Sequence, residues 1–172
     1  MADSRIIPHH GVKPVLGPGA FVADTARVIG DVVCGRDCSI WFGTVVRGDV
    51  FHIRIGDRVN LQDHTVIHVT TGMHATILHD DITVGHRATL HGCTVHSGSL
   101  IGMGATVMDE AVVGEGAMVA AGALVPPGMV IPEHSLAVGS PARVRRPLRD
   151  EEKRWLEYSA AHYCDLARTY LS

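Results

Sequence analysis

Aromatic side chains are scarce in this chain of 172 residues: three Phe, two Trp and three Tyr make up 5% of it, while 46% is hydrophobic. That balance argues against a core built on large rings and suits a narrow interior filled by Val, Ile, Ala and other small residues. Long apolar runs are missing too. No stretch reaches the length of a membrane span, and the N-terminal MADSRIIPHHGVKP lacks the apolar centre of a secretory signal. The four cysteines include no CxxC spacing, so zinc and dithiol redox motifs of that kind are not expected. Neither sign of charge dominates. A net charge of −3 with interspersed signs offers no basic footprint for nucleic acid and no polybasic patch for a membrane surface. The sequence therefore predicts a single cytoplasmic domain.

What the chain does contain is a beat of six. An aliphatic or cysteine residue opens a unit at Val22, Val28, Cys34, Ile40 and Val46, and again at Ile55, Leu61 and Ile67. After an irregular stretch from Thr70 to Asp81 the beat returns at Val84 and Leu90, slips, and runs on through Ile101, Val107, Val113, Val119, Val125, Ile131 and Ala137. Glycine often follows the leading residue, as at Gly35, Gly56, Gly85, Gly102 and Gly114. This pattern predicts a parallel β-helix of hexapeptide repeats, in which three units close one triangular coil and coils must stack to bury their interior. Residues 1–147 are assigned to that solenoid, with a short lead-in. Residues 148–172 are assigned to an amphipathic helix packed on the prism or on a neighbouring subunit. Its start is acidic (Asp150, Glu151, Glu152), and Trp155, Ser159, Tyr163, Leu166 and Tyr170 recur at helical spacing. Packing is the expected role of Trp155. Cys34 and Cys38 fall at inward positions of one unit and read as core residues.

Three histidines interrupt the monotony. His68 and His91 each follow a leading residue, Ile67 and Leu90, and the excess in their spacing over one coil matches the irregular stretch between them. They are expected to stack on one face, about 4.8 Å apart in the pairing direction. Arg47 follows Val46, and a slip near His52 to Arg54 places it in the same column one coil earlier. His86 lies a unit before His91, across a corner, badly placed to join the other two within one chain. A neighbouring prism in a trimer is able to supply it. The spacing thus predicts a subunit-interface site with His68 and His91 from one chain and His86 from the next. Three imidazoles with an open fourth position make a catalytic zinc-type centre. Of the other histidines, His9, His10, His52, His96, His134 and His162 read as incidental surface residues.

Taken in order, the segments IGDVVCGRDCSIWFGTVVRGD, NLQDHTVIH, VGHRATLHGC and IGMGATVMD closely resemble the γ-class carbonic anhydrase family of hexapeptide-repeat proteins. The resemblance runs from about Pro14 to the C-terminal helix. It implies a left-handed β-helix, assembled as a homotrimer, with interfacial metals that hydrate CO2 to bicarbonate through a metal-bound hydroxide. It also implies His68, His86 and His91 as metal ligands, with Arg47 and Asp49 as an intersubunit salt bridge and active-site pair. Asn60, Gln62 and Asp63 match the polar residues that line the site, and Tyr163 falls near the family's helix tyrosine, with Asp165 where an asparagine often stands. Zn2+ is the expected metal, with Fe2+ and Co2+ as alternatives, since imidazole suits them all.

The chain departs from that family at one place. Val50 follows Asp49 where active members carry a glutamate, and TTGMHATILHDD has no acidic lid glutamate. His74 or His79 is a candidate proton relay in its place. Two other classes stay open: a hexapeptide acyltransferase or acyl-CoA thioesterase, and a non-catalytic metal-binding scaffold.

Overall fold

A computed structural model of the protein describes residues 3–171. The chain winds as a parallel β-solenoid of about seven turns and ends in one helix. Three faces are distinguishable by their pairing. The first stacks the start of Val45–Ile55, Val66–His68, Thr89–His91, Thr106–Val107 and Leu124–Val125. The second stacks the end of Val45–Ile55, Thr76–Leu78, Thr94–Val95, Val112–Val113 and Val130–Ile131. The third runs from Phe21–Val22 through Ser39–Ile40, Asn60–Leu61, Thr83–Val84, Leu100–Ile101 and Met118–Val119 to Ser135–Gly139. Only there does an antiparallel strand, Ala142–Pro147, close the sheet.

The beat of six sets this geometry because each leading residue points inward. Val46, Ile67, Leu90, Val107 and Val125 are all fully buried one above another on the first face. Each such aliphatic side chain contributes about 1.5–3 kcal/mol of burial, which the single coil has no partner to supply. All four cysteines are buried and unpaired. Burial pushes the thiols of Cys38 and Cys93 up to about 12, so neither is a ready nucleophile.

The pairing places the two irregularities. The offset between paired residues grows from 18 at Gly30 and Gly48 to 21 at Val32 and Ile53, so the three-residue slip expected near His52 to Arg54 falls between Gly48 and Ile53, reaching His52 from the N-terminal side. The second insertion is shorter than the stretch from Thr70 to Asp81, because Thr76–Leu78 is a regular strand paired with Ile53–Ile55. The leading residue of this strand is aliphatic, Leu78 in register with Ile55, but the insertion before it breaks the count of six.

The helix spans Asp150–Leu171. Its contact with the prism uses small side chains, Ser159, Ala160, Cys164 and Ala167, together with Leu156. Small residues let the helix approach the flat sheet closely, and Ser159 Oγ meets Thr83 Oγ1 at 3.0 Å. Trp155 does not pack as expected: it is 55% exposed. The aromatic anchors of the helix are Tyr163 and Tyr170, whose rings lie 5.7 and 5.4 Å from Trp41. At the helix start, Glu152 Oε2 accepts from the Arg149 backbone N–H at 2.8 Å, half of a capping box. Arg146 binds both of its oxygens, at 2.7 and 2.8 Å.

Glycine after the leading residue has a spatial cause. A Cβ on Gly114 would stand 2.6 Å from the Glu133 amide nitrogen and 2.9 Å from the Pro132 carbonyl carbon, in the coil above. Gly114→Ala should therefore cost about 1–3 kcal/mol, as overpacking does, and appear as a lowered denaturation midpoint with the fold otherwise kept. A second expectation concerns acid. Hydrogen bonds from Arg146, then from Arg149, hold the Glu152 carboxyl far below its ordinary value of 4.5. A depressed folded-state value stabilises the protein above pH 4.5 and loses that contribution as pH falls further. Glu152→Gln should lower the thermal midpoint at neutral pH, and the gap from wild type should narrow with acidification below 4.5. A gap of constant size across that range counts against the capping role.

Candidate metal centre

Adjacent parallel strands carry the first two histidines, with His91 directly opposite His68. Because Ile67 and Leu90 point into the core, the residues that follow them point out. Val46 pairs with Ile67, so Arg47 heads the same column, as its spacing predicted. His68 Nδ1 and His91 Nε2 face each other at 3.2 Å. Each ring is held on its far side by a carboxylate. His68 Nε2 lies 3.1 Å from Asp49 Oδ1, and His91 Nδ1 lies 2.9 Å from Asp109 Oδ1. Arg47 Nη1 donates to Asp49 Oδ2 at 2.7 Å, so this pair is formed within one chain.

Burial alone would raise the Asp49 carboxyl, but hydrogen bonds from Arg47 and His68 outweigh it and hold it below its ordinary value. Asp109 is likewise pulled up by burial and brought down further by His91 and Thr70. Ionised carboxylates only accept, so a neutral ring at either position would turn its N–H to its own carboxylate and its lone pair to the other ring. In that tautomer two lone pairs face each other at 3.2 Å, an arrangement that a cation between them satisfies. Two donors on one tetrahedral ion with bonds of about 2.0–2.1 Å stand roughly 3.3 Å apart, which the pair matches. This donor set fits a divalent metal that favours imidazole.

The other expected residues gather elsewhere, at the corner between the third face and the first. His86 Nδ1 lies 2.8 Å from Asp63 Oδ2. Gln62 Nε2 donates to Asn60 Oδ1 at 3.2 Å, and Asn60 Nδ2 donates to Thr83 Oγ1 at 2.9 Å, all in buried positions. Tyr163 is half-buried. Desolvation, and then the nearby Asp63 charge, push its phenol upward. A groove of about 350 Å3 opens beside this cluster, lined by Gln62, His86, Met103, Met118, Trp155 and Tyr163 among others. Asp165 is exposed and pairs with Arg168 at 2.7 Å.

The structure thus divides the expected site into two halves. Arg47, Asp49, His68 and His91 stand at one edge of the first face, and Asn60, Gln62, Asp63, His86 and Tyr163 at its other edge. Four residues separate His86 from His91, a turn at Arg87 (φ +59°) and then the strand Thr89–His91, which carries His91 to the far edge of the face. Among the described residues, no three His, Cys, Asp or Glu side chains of one chain come together to hold a metal. The candidate relays are also placed: His74 lies 3.7 Å from Glu110, and His79 stacks on His96 at 4.8 Å. Three residues that back the histidine pair were given no role by the sequence: Asp109, which ends the segment IGMGATVMD, and Thr70 and Thr76 of the irregular stretch.

With this geometry in view, comparison with known proteins is informative. The family model described as Bacterial transferase hexapeptide (six repeats) matches residues 92–127. A carbonic anhydrase of Geobacillus kaustophilus is 46% identical over 165 residues, covering 96% of this chain and 90% of that protein. The chain belongs to the γ-carbonic anhydrase family of hexapeptide-repeat proteins. Mitochondrial gamma carbonic anhydrase 1 of Arabidopsis thaliana is also 46% identical, over 91% of this chain. The chain spans only 59% of that relative's length. A solved structure from Bacillus cereus, titled a putative acetyltransferase, superposes with a TM-score of 0.94 at 44% identity, covering 96% of this chain and 95% of that one. Relatives named as carbonic anhydrases and a structure titled as an acetyltransferase thus both match over nearly the whole chain. No helix among the described residues is long and apolar enough to cross a membrane.

The Asn60 to Gln62 bond is buried, so it is open to a direct energetic test. Asn60→Ala should cost about 1–3 kcal/mol, because it leaves buried Gln62 Nε2 without its acceptor and reduces Thr83 Oγ1 to its contact with Ser159. In a double-mutant cycle with Gln62→Ala, measured by chemical denaturation, the two losses should fall short of additivity by about 0.5–1.5 kcal/mol. Full additivity would mean that the two side chains act independently.

Proposed function

We propose that the protein reversibly hydrates CO2 to bicarbonate in the cytosol, at metal sites shared between the copies of a homotrimer. His68 and His91 of one chain and His86 of the next are the ligands, and Zn2+, Fe2+ or Co2+ is the metal. The observation that carries this reading is the division of the site between two edges of one face. If the first faces of three prisms turn toward a common axis, each prism's histidine-pair edge meets the His86 edge of its neighbour, and the ring closes after three copies. The names of the relatives support the reaction.

When bound, the metal supplies a Lewis acid that makes water acidic enough to attack CO2 near neutral pH. The rest falls to side chains. Asp49 and Asp109 fix the rings of the pair, and Asp63 fixes His86, each accepting the N–H that faces away from the donor nitrogen. Gln62, steadied by Asn60, offers Oε1 to accept a hydrogen bond from the attacking water or from the hydroxyl of bicarbonate. Arg47 places fixed positive charge where the carboxylate of the product develops. Its bond to Asp49 keeps that charge at the edge of the site. Tyr163 narrows the approach from the helix side.

A second reading, acyl transfer or thioester hydrolysis, draws on the groove beside Gln62 and His86. Its volume of about 350 Å3 and its Met103, Met118 and Trp155 lining offer more room than CO2 needs.

Both readings are separable by experiment. Trimers reassembled from His86→Ala and His91→Ala chains should regain part of the tight Zn2+ binding and CO2 hydration that each variant lacks alone. Stoichiometric tight binding by a monomer, or no recovery in mixtures, would sink the shared site. Gln62→Ala should keep its metal and lose hydration activity about ten- to a thousandfold. If the metal-loaded protein hydrates CO2 no faster than the free ion yet cleaves an acyl thioester, the second reading replaces the first.

A further inference from the structure

The histidine pair is backed by side chains that come from the insertion and from the next coil. Leu90 pairs with Val107, so Asp109 lies in the turn just beyond the residue above His91. Its Oδ1 stands 2.9 Å from His91 Nδ1, and Thr70 Oγ1 donates to the same oxygen at 2.9 Å. Thr70 belongs to the extra residues that lengthen this coil, and the hold is continued one strand on. There the buried Thr76 hydroxyl donates to the His68 carbonyl at 2.6 Å and accepts from the Gly92 N–H at 2.9 Å. Gly92 has φ +56°, and a Cβ at that position would run into the Asp109 carboxylate and approach His74 Cβ to 2.8 Å. The residue after His91 is therefore one that leaves Asp109 room to reach the ring.

We propose that Asp109, buttressed by Thr70, is a positioning residue that keeps the His91 proton on Nδ1 and so presents Nε2, the nitrogen facing His68, to the metal. A neutral imidazole carries one N–H, and an acceptor-only carboxylate at Nδ1 decides where it sits. Without that acceptor the ring samples both tautomers and is free to turn. Only part of its population then offers a lone pair toward His68, and metal affinity falls in proportion. Thr70 acts at one remove, by fixing the oxygen that His91 uses. The insertion thus has a stated task beyond lengthening a coil: it brings a hydroxyl to the back of the site from 39 residues away in sequence. The inference rests on the reading of His91 as a ligand, but its first readout needs no metal.

The test uses the full-length chain, labelled with 15N and stripped of metal by a chelator, at a pH where the His91 ring is neutral. Long-range 1H–15N correlation should show His91 as the Nδ1–H tautomer in wild type. In Asp109→Ala it should shift to a mixture or to the Nε2–H form. Asp109→Asn keeps an acceptor oxygen and should restore the wild-type tautomer. In parallel, competition with a chelator for Zn2+ should show about a 10–100-fold weaker affinity in Asp109→Ala, with partial recovery in Asp109→Asn. Thr70→Val, which leaves the carboxylate in place, should lose several-fold. Wild-type tautomer and affinity in both Asp109→Ala and Thr70→Val overturn the proposal, as does an Asp109→Asn variant no better than Asp109→Ala. Failure of the metal reading itself looks different: His91→Ala would leave Zn2+ binding unchanged while the tautomer still followed Asp109.

Discussion

Everything in this protein depends on the close parallel stacking of one coil on the next. Strands in hydrogen-bonding register lie about 4.8 Å apart, so a side chain at one position stands directly over its counterpart a coil away. That constraint turns a one-dimensional beat into columns. Inward columns become the aliphatic core, with Val46, Ile67, Leu90 and Val107 in line. Outward columns become surfaces of stacked chemistry, as where Arg47, His68 and His91 follow one another. The same closeness is what excludes a Cβ after the leading residue in so many units. At Gly85, for instance, it would come within 2.7 Å of the Met103 amide nitrogen.

Columns also explain why the site divides as it does. A rigid prism has no means of folding one edge of a face onto its other edge, so residues placed at the two edges stay apart within one chain. The edges run straight along the stack, so each keeps its own column of side chains. Backing carboxylates complete each half independently, Asp49 and Asp109 on one edge and Asp63 on the other.

Much of this was legible from the sequence, and the parts that were not have physical reasons. The coil, the three faces and the stacking of His68 on His91 follow from counting, because the period is short and the register forgives only whole units. The strand Thr76–Leu78 escaped, since an insertion broke the count just before its leading residue, Leu78. The buried face of the helix was misjudged by one position. Leu156 packs where Trp155 was expected, because contact with a flat sheet rewards small neighbours such as Ala160 over large rings. Asp109 was invisible for a different reason. Its spacing of 18 from His91 is one coil, but the period says only that the two are near neighbours and not that a turn aims the carboxylate at the ring.

The two tryptophans end up in opposite surroundings. Trp41 is 4% exposed and touches Tyr163 and Tyr170, the rings that seat the helix on the prism, while Trp155 stands 55% exposed on the helix beside Tyr158. The molecule consequently carries two optical reporters with separate duties. Short-wavelength emission from Trp41 follows the seating of the helix, and long-wavelength, readily quenched emission from Trp155 follows whatever approaches its outer side. Undocking of the helix and the arrival of another molecule would thus leave distinguishable spectral signatures without any label being added.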